Sequence, residues 1–217
     1  LLYVAVTAFK PYEELFLFPP RFFVKNPTMD NWANLMGAFD SSSVPFLKYL
    51  FNSLLTTVVS VVLTILVCAL AAYGFAKKRV PFGNALFTLI IMALSFPVHA
   101  TQIPNYMIVN ALGLINTLWA LILPLCVSSF NVTISRTFFR TTIPDSIIES
   151  AKIDGATQMT VFAKIVLPIS KPVLATIGLF LTFGYWNDWF QSSLYISRAE
   201  LVSLQALLNN MMKSLDY

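Results

Sequence analysis

The chain of 217 residues is 57% apolar and only 11% charged, with a formal net charge of +4. Water-soluble domains carry about 25% charged residues, so this composition excludes an ordinary soluble domain. Two long stretches, from Tyr49 to Ala76 and from Val80 to Ser135, contain no Asp, Glu, Lys or Arg. Because a membrane-spanning helix needs about 20 predominantly apolar residues, the sequence predicts an all-α polytopic membrane protein. In such a chain positive charge first reports orientation in the membrane, and we expect no nucleic-acid partner.

The N-terminal part of the chain reads as a partial span followed by a long connection. Leu1–Phe9 is apolar and starts without Met, so we expect it to be the end of a first span in a chain truncated at both ends. Lys10–Lys48 has charges of both signs and several prolines, and it is too polar to cross a membrane. Within this connection, Asp30-Asn31-Trp32 predicts a short helix near the membrane surface, where Trp is favoured.

Four more spans are predicted from the apolar stretches that follow, at Leu50–Ala76, Ala85–Val98, Leu118–Thr133 and Pro172–Trp189. Proline removes a backbone donor and kinks or ends helices. We therefore expect Pro97 and Pro104 to interrupt the third span, and Pro124 to kink the fourth.

Shorter pieces connect these spans. After the interrupted third span, Asn105–Leu112 predicts a separate helical piece, and Gly113 with Asn116-Thr117 predicts an elbow into the fourth span. Beyond the fifth span, Leu201–Met212 predicts an amphipathic helix.

Basic residues next to the span ends indicate the orientation of the chain, because cytoplasmic ends carry an excess of Lys and Arg. The residues that we assign to the cytoplasm are Lys77, Lys78, Arg79, Arg136, Arg140, Lys152, Lys164 and Lys171. The first span then runs outward and the following ones alternate, so that the charged loop after the fourth span is cytoplasmic.

That charged loop, residues 144–171, predicts two short helices joined at a glycine. Ser146 and Glu149 have the spacing of a capping box, with Asp145 as a competing cap. The first helix is predicted over Ile147–Asp154, and Gly155 suits the left-handed position that ends a helix. The second is predicted from a Thr157 cap to Val166, with Pro168 ending it.

An apolar stripe on the second helix suggests what this loop does. Met159, Phe162, Ala163 and Val166 follow the i, i+3, i+4, i+7 spacing of one helix face. Packing of Met159 and Phe162 against the chain's own spans is one explanation. The two capped helices and the flanking basic residues favour the other, a docking surface for a soluble partner.

The spacing within this loop resembles the signature E-A-A-x3-G-x9-I-x-L-P of ABC importer permeases. The matching residues are Glu149-Ser150-Ala151, Gly155, Ile165 and Leu167-Pro168, with Ser150 replacing the usual Ala. Five further segments are similar to the carbohydrate-uptake branch, at residues 103–106, 112–117, 153–156, 165–172 and 186–188. The chain most resembles the second permease subunit of maltose-type importers.

The resemblance implies a fold and a role for the loop. It implies one type I ABC importer transmembrane domain over 1–217, with about six spans in the full chain and five at least partly present. Residues 144–171 would form the cytoplasmic coupling helices that dock on an ATPase subunit. The implied docking residues are Glu149, Ser150, Ala151, Asp154, Gly155, Met159, Phe162, Leu167 and Pro168.

The resemblance also implies partners and a location. The partners would be a second homologous permease subunit, two ATPase subunits, an extracellular binding protein and a carbohydrate, in a bacterial inner membrane. The chain has no G-x-x-x-x-G-K-[ST] phosphate-binding loop, and its one histidine and two separated cysteines offer no triad or metal cluster. We expect it to be no enzyme and to bind no cofactor, with ATP and Mg on the ATPase partner.

Polar residues near two spans are candidates for lining a translocation pathway. They are Gln102, Asn105 and Tyr106 at the broken third span, and Trp186, Asn187 and Asp188 at the end of the fifth. An acidic residue near a span indicates function by default, and the rings and amides beside Asp188 suit a sugar. The alternative is that Asp188 lies at the outer interface, with Trp189 as an ordinary anchor. His99 is interpreted as a local hydrogen-bonding residue.

Three other functions agree less well with the sequence. An ion-coupled secondary transporter would also have broken helices, but it predicts charged residues inside the spans, and the central spans have none. An ABC permease for a peptide, amino acid or osmolyte conflicts only with the carbohydrate-type segments. A channel or scaffold role is disfavoured because the sequence lacks the signature features of such proteins.

Overall fold

A computed structural model of the chain describes residues 2–19, 21–40, 44–77 and 80–215. Lys78, Arg79 and the side chain of His99, on which predictions were made, lie outside this description. The described residues form helices and connecting turns without a β-strand, so the predicted all-α class is confirmed. The chain divides into two compact units, Leu1–Lys48 and Tyr49–Tyr217.

The first unit contains three short helices, α1 (Leu2–Thr7), α2 (Tyr12–Leu15) and α3 (Asp30–Asp40). Lys10 is buried and donates a 2.5 Å hydrogen bond to the Arg21 carbonyl. Asn31 of α3 donates to the carbonyl of Lys10 at 2.7 Å. These bonds hold the connection together, and the predicted short helix at Asp30 is confirmed.

The longest helix is α4 (Phe46–Lys77), an unbroken helix of 32 residues. It begins earlier than the predicted Leu50, since Phe46 and Leu47 continue its apolar pattern. Small polar residues on α4 are buried at Ser53, Thr57, Ser60 and Thr64, while its exposed positions include Leu54, Val58, Val62 and Leu66. This arrangement suits a helix in lipid, where small and polar side chains form helix contacts and apolar ones face outward.

The third predicted span is divided into α5 (Gly83–Ala93) and α6 (Val98–Ala111). Pro97 is extended and precedes α6, so the predicted interruption there is confirmed. Pro104 lies inside α6, so the predicted interruption at Pro104 is wrong. Membrane helices tolerate such prolines where neighbouring groups satisfy the freed carbonyl. The predicted elbow after α6 is confirmed, because Gly113 and Asn116 have positive φ angles.

The fourth span is formed by α7 (Trp119–Ile122), a 3₁₀ turn (Leu123–Leu125) and α8 (Ser129–Thr142). The two helical pieces meet at 46°, which confirms the kink predicted at Pro124. The helix extends past the predicted Thr133, because Ser128 caps a new start by accepting a hydrogen bond from the Asn131 amide.

The charged loop follows as α9 (Asp145–Ile153), α10 (Gln158–Val161), a π-helical turn (Phe162–Val166) and α11 (Leu167–Ile169). Pro168 stands in the first turn of α11, where a missing amide is tolerated. The predicted stop at Pro168 is therefore wrong, and the helix continues to Ile169. A 76° bend then leads into α12 (Lys171–Trp186).

The C-terminal part contains α13 (Phe190–Tyr195), a 3₁₀ turn (Ala199–Leu201) and α14 (Leu204–Leu215). Among the described helices, α4 alone is long and apolar enough to cross a membrane unbent, and the two bent pairs raise the number of candidate spans to three. Helix α5 is a shorter apolar helix.

Candidate functional site

The turn between α9 and α10, which we call the elbow, is built around a left-handed glycine. Gly155 has φ +82°, a conformation that costs residues with a Cβ about 1–2 kcal/mol. The Ala156 amide donates to the Ala151 carbonyl at 2.9 Å, and the Gly155 amide donates to the Lys152 carbonyl at 3.0 Å. These two bonds define a Schellman motif, so α9 ends as predicted.

The start of α10 also agrees with prediction. The Thr157 hydroxyl accepts a hydrogen bond from the Thr160 amide at 3.3 Å and so caps the helix.

The start of α9 differs from prediction. Helix α9 begins at Asp145 with Pro144 at the cap position, and no side chain caps it. The Ser146–Glu149 capping box is absent because Ser146 already lies in the first turn, where its carbonyl accepts from the Ser150 hydroxyl. Pro144 has an extended backbone at the cap position, and the helix starts at Asp145, one position before the predicted cap.

An ion pair supports this helix start. Lys77, at the end of α4, donates to the Asp145 carboxylate at 2.7 Å. This hydrogen bond and the positive charge hold the pKa of Asp145 below its ordinary value. A carboxylate in the first turn also interacts favourably with the helix dipole.

The inner face of the loop packs into the chain's own core. Phe162 is only 4% exposed and joins a buried cluster with Ile148, Val161, Val166 and Tyr73. The Phe162 and Tyr73 rings lie 5.4 Å apart, and the Tyr73 hydroxyl donates to Gln158 at 3.1 Å. Of the predicted stripe, Phe162 and Val166 thus pack in the chain's own core, while Met159 is exposed. The prediction of Phe162 as an exposed docking residue is wrong, because its ring packs against Tyr73 of α4.

Other apolar side chains of α9 and α10 are exposed to the surroundings, and we call this exposed set the elbow face. It consists of Ile147, Ile153 and Met159, of which Ile153 is 86% and Met159 64% exposed. Glu149, Ser150, Asp154 and Gly155 are also exposed, and Ala151 is half-buried. Leu167 is half-buried and Pro168 exposed in α11.

Sequence reasoning did not find Ile147 and Ile153. The signal that marks Ile153 is its position directly before Asp154 at the elbow, away from the face that carries the buried Ile148.

The acidic pathway candidate, Asp188, lies at the start of α13. Its carboxylate accepts a 3.0 Å hydrogen bond from the Gln191 amide. With Thr57, Tyr185 and Ser203 it lines a cavity of about 20 Å³, which has room for about one water molecule. Asp188 therefore has a local hydrogen-bonding partner beside a small cavity, and its place in a pathway stays a prediction.

The residues next to Asp188 in the sequence have contacts of their own. The Asn187 side chain is exposed and donates to the Phe183 carbonyl at 2.9 Å. Trp186 is half-buried, and Trp189 lies 5.2 Å beneath the Lys213 ammonium. The predicted polar and aromatic patch is thus divided among separate contacts.

A second cavity, of about 240 Å³, lies between α6 and α13. Gln102, Tyr106 and Phe190 line it, and the Tyr106 ring stacks on Tyr195 at 6.0 Å. Asn105 is exposed on α6. The structure brings Gln102 and Tyr106 together, and it separates them from the cavity that Asp188 lines.

The described residues include no group of three or more His, Cys, Asp or Glu placed to hold a metal ion.

Comparison with known proteins relates the chain to a family of transport components. The model of the family described as "binding-protein-dependent transport system inner membrane component" matches residues 65–211. Protein LplC of Bacillus subtilis (strain 168) is 37% identical over 95% of this chain and 68% of its own length. The polygalacturonan/rhamnogalacturonan transport system permease protein YtcP of the same organism is 37% identical over 74% of this chain, which spans 55% of that relative.

A solved structure shares the fold. It is the crystal structure of a bacterial ABC transporter involved in the import of the acidic polysaccharide alginate, with a TM-score of 0.84 and 23% identity. The match covers 99% of this chain and 74% of the other. At this identity the match shows the fold, and the elbow lies within both this match and the family match.

Proposed function

Because the chain belongs to the family of binding-protein-dependent transport system inner membrane components, we propose that it is a permease subunit of an ATP-driven importer of a sugar or oligosaccharide. Family membership makes it a component of the inner membrane and of a transport system. The cargo is supported by a similar permease named for polygalacturonan and rhamnogalacturonan. In this proposal ATP hydrolysis drives transport, so that no charged coupling-ion site of the kind found in secondary transporters is required.

The observation that carries this proposal is the two-sided elbow. Its inner face is continuous with the core that contains Tyr73 of α4 and Phe139 of α8. Its other face exposes Ile153 and Met159. Exposed apolar side chains with a polar rim are typical of a protein interaction site.

We propose that the elbow face docks on a separate ATPase subunit in the cytoplasm. In this assignment Ile153 and Met159 are the apolar anchors, while Glu149, Ser150 and Asp154 form the polar rim. Ala151 and Gly155 shape the turn, and Leu167 and Pro168 start the helical turn that leads to the bend. Phe162 contributes from inside, by fixing α10 to α4.

The proposed mechanism follows from these contacts. When ATP closes two ATPase subunits, each carries the elbow docked on it. Because the elbow shares its core with α4 and α8, these helices move with it as one body. The bends next to α8 and α12 are positions where rigid pieces change angle, which fits a rigid-body switch between inward-facing and outward-facing states.

For the cargo we propose a contact at the Tyr106 cavity. An apolar, aromatic cavity with a few polar groups is the usual form of a small-molecule site, and Tyr106 and Gln102 provide both elements. Asn105, Trp186, Asn187 and Asp188 stay predictions as pathway residues. A second homologous permease subunit and an extracellular binding protein complete the proposed assembly.

The assembly tests this function directly. The chain is co-expressed with the second permease subunit and the tagged ATPase subunit of its source organism, and the complex is purified through the tag. We expect the chain to co-purify, and ATP hydrolysis to rise when binding protein loaded with the correct sugar is added. A chain that inserts in the membrane without retaining any ATPase subunit would contradict the proposal, and stimulation only by a non-sugar solute would correct its cargo.

A further inference from the structure

Helix α4 differs from the other candidate spans because it is unbroken. Its 32 residues form one helix from Phe46 to Lys77, about 48 Å long at about 1.5 Å per residue. The other two candidate spans are pairs of helices bent by 46° and 76°. An unbroken helix carries a displacement from one end to the other, while a bend can absorb it.

The inner end of α4 is fastened to the elbow by polar contacts as well as packing. The Lys77 side chain is 5% exposed, and its ammonium donates to the Ile143 carbonyl at 2.6 Å and to Asp145 at 2.7 Å. One helical turn earlier, Tyr73 donates to Gln158. Charge-assisted hydrogen bonds of this kind are about twice as strong as neutral ones.

The other end of α4 is fastened to the segment that follows α13. The Asn52 side chain donates to the Glu200 carbonyl at 2.8 Å and to the Val202 carbonyl at 3.2 Å. The next residue, Ser53, accepts from the Leu204 amide at 2.8 Å. Both side chains are buried, at 2% and 3% exposure, so this contact excludes competing solvent.

The segment that Asn52 and Ser53 bind is partly exposed. Arg198, Ala199 and Glu200 are exposed, and we call residues 198–204 the far segment. Its backbone is bound to α4, so a shift of α4 along or about its axis must move the far segment or break these bonds.

We propose that α4 is a rigid connecting rod, which transmits the state of the elbow to the far segment through Lys77 and Tyr73 at one end and Asn52 and Ser53 at the other. This inference rests on the proposed docking of an ATPase on the elbow. In this scheme the two bent spans change angle, and the unbroken α4 transmits the change across the membrane. Asn52, Ser53, Tyr73 and Lys77 are positioning residues in this scheme.

The test measures an ATP-dependent change at the far segment in the assembled complex. Ala199→Cys gives one exposed thiol, while Cys68 and Cys126 are buried. The rate of maleimide labelling at position 199 is measured with and without ATP. We expect ATP to change this rate in the otherwise unmodified complex, and we expect the change to be lost when Asn52→Ala and Ser53→Ala are added.

A matched control lies on the next turn of α4. The Thr56 hydroxyl donates only to carbonyls of its own helix, at 2.7 Å to Asn52 and 3.2 Å to Ser53. Thr56→Val should keep the ATP-dependent change at position 199. If the double variant does not assemble, Lys77→Met tests the other end of the rod, and we expect it to abolish the same change.

Two results would overturn the rod. One is an unchanged ATP response at position 199 in a variant of either end that still assembles. The other is a complex that hydrolyses ATP while position 199 never responds. Neither result touches the proposed function, which instead fails if no ATPase subunit joins the complex.

Discussion

Gly155 is the residue on which the geometry of the elbow depends. Its positive φ lets the Ala156 amide reach back to Ala151 and lets α10 start at once. Since an added Cβ at Gly155 meets no atom within 4 Å, a substitution acts through backbone strain alone. The effect of Gly155 on stability can therefore be separated from packing.

A pair of glycine substitutions tests this point. Gly155→Ala should destabilise the protein by about 1–2 kcal/mol, the cost of the left-handed conformation, and Gly155→Asn by less. Gly74 also has open space around its Cβ position, but it lies inside α4. Gly74→Ala should stabilise by about 0.5–1 kcal/mol. Thermal unfolding in detergent measures all three, and equal effects at the two glycines would refute the strain argument.

The Lys77–Asp145 pair predicts a pH dependence. The pKa of Asp145 is lowered in the folded protein from an ordinary 3.8. A lowered pKa contributes stability above the ordinary value, and the contribution is lost as the pH falls below it through the folded value. Asp145→Asn should therefore lower the unfolding midpoint at pH 7 and have less effect near pH 3, with a small difference because the carboxylate is exposed. An offset that is the same at both pH values would argue against the ion pair.

At the scale of elements, α4 shows how polarity is used inside a membrane protein. Thr64 is fully buried, and its hydroxyl donates to the Leu125 carbonyl at 3.1 Å and lies 3.1 Å from the Tyr185 hydroxyl. Tyr185 donates to the same carbonyl at 2.9 Å. These contacts join α4 to the break after α7 and to α12, so one small polar side chain connects three parts of the fold.

Removing that hydroxyl should cost a moderate amount of stability. Thr64→Val keeps the shape and deletes the bonds. We expect a loss of about 0.6 kcal/mol, the average for a hydrogen bond between membrane helices, and at most about 1.7 kcal/mol. Thr133→Val is the matched control, because the Thr133 hydroxyl donates within α8 to Ser129. The difference between the two unfolding midpoints is the measurement, and a larger loss at Thr133 would contradict the role given to Thr64.

The sequence allowed most elements to be predicted, because local chemistry decides them. The elbow glycine, the Thr157 cap, the start of α3 and the breaks at Pro97 and Pro124 follow from residue types alone. The capping box at Ser146 was wrong, because Pro144 and the distant Lys77 decide where α9 starts. The directions of Phe162 and Val166 depend on Tyr73 and Phe139 in other helices, so spacing within α10 could not reveal them.

The predicted pathway residues show a similar limit. Gln102 and Tyr106 are near each other in sequence and share one helix and one cavity. Asp188 stands out in sequence as an acid near a span. Its hydrogen bond to the Gln191 amide is local, but the small cavity that it lines together with Thr57 depends on how distant parts of the chain pack, which the sequence does not state.

At the scale of the whole molecule, the two ends of α4 contact two separate parts of the chain, the charged loop and the far segment. The elbow is a folded docking element whose core is shared with the spans, and α4 connects it to the far segment. In the proposed function, closure of the ATPase subunits on ATP moves the elbow face, and this motion changes the angles of the bent spans. The ATPase must therefore cover the elbow face in the assembled transporter.

Protection of the elbow face is the most direct test of this requirement. Met159→Cys places an exposed thiol on the elbow face, in a chain whose native cysteines are buried. Met212→Cys, on an exposed position of α14, is the matched control. Maleimide labelling rates are compared in inverted membrane vesicles with and without co-expressed ATPase subunits. We expect the ATPase to slow labelling at position 159 and to leave the labelling rate at position 212 unchanged. Equal labelling rates at position 159 in both membranes would contradict the docking of the ATPase on the elbow face.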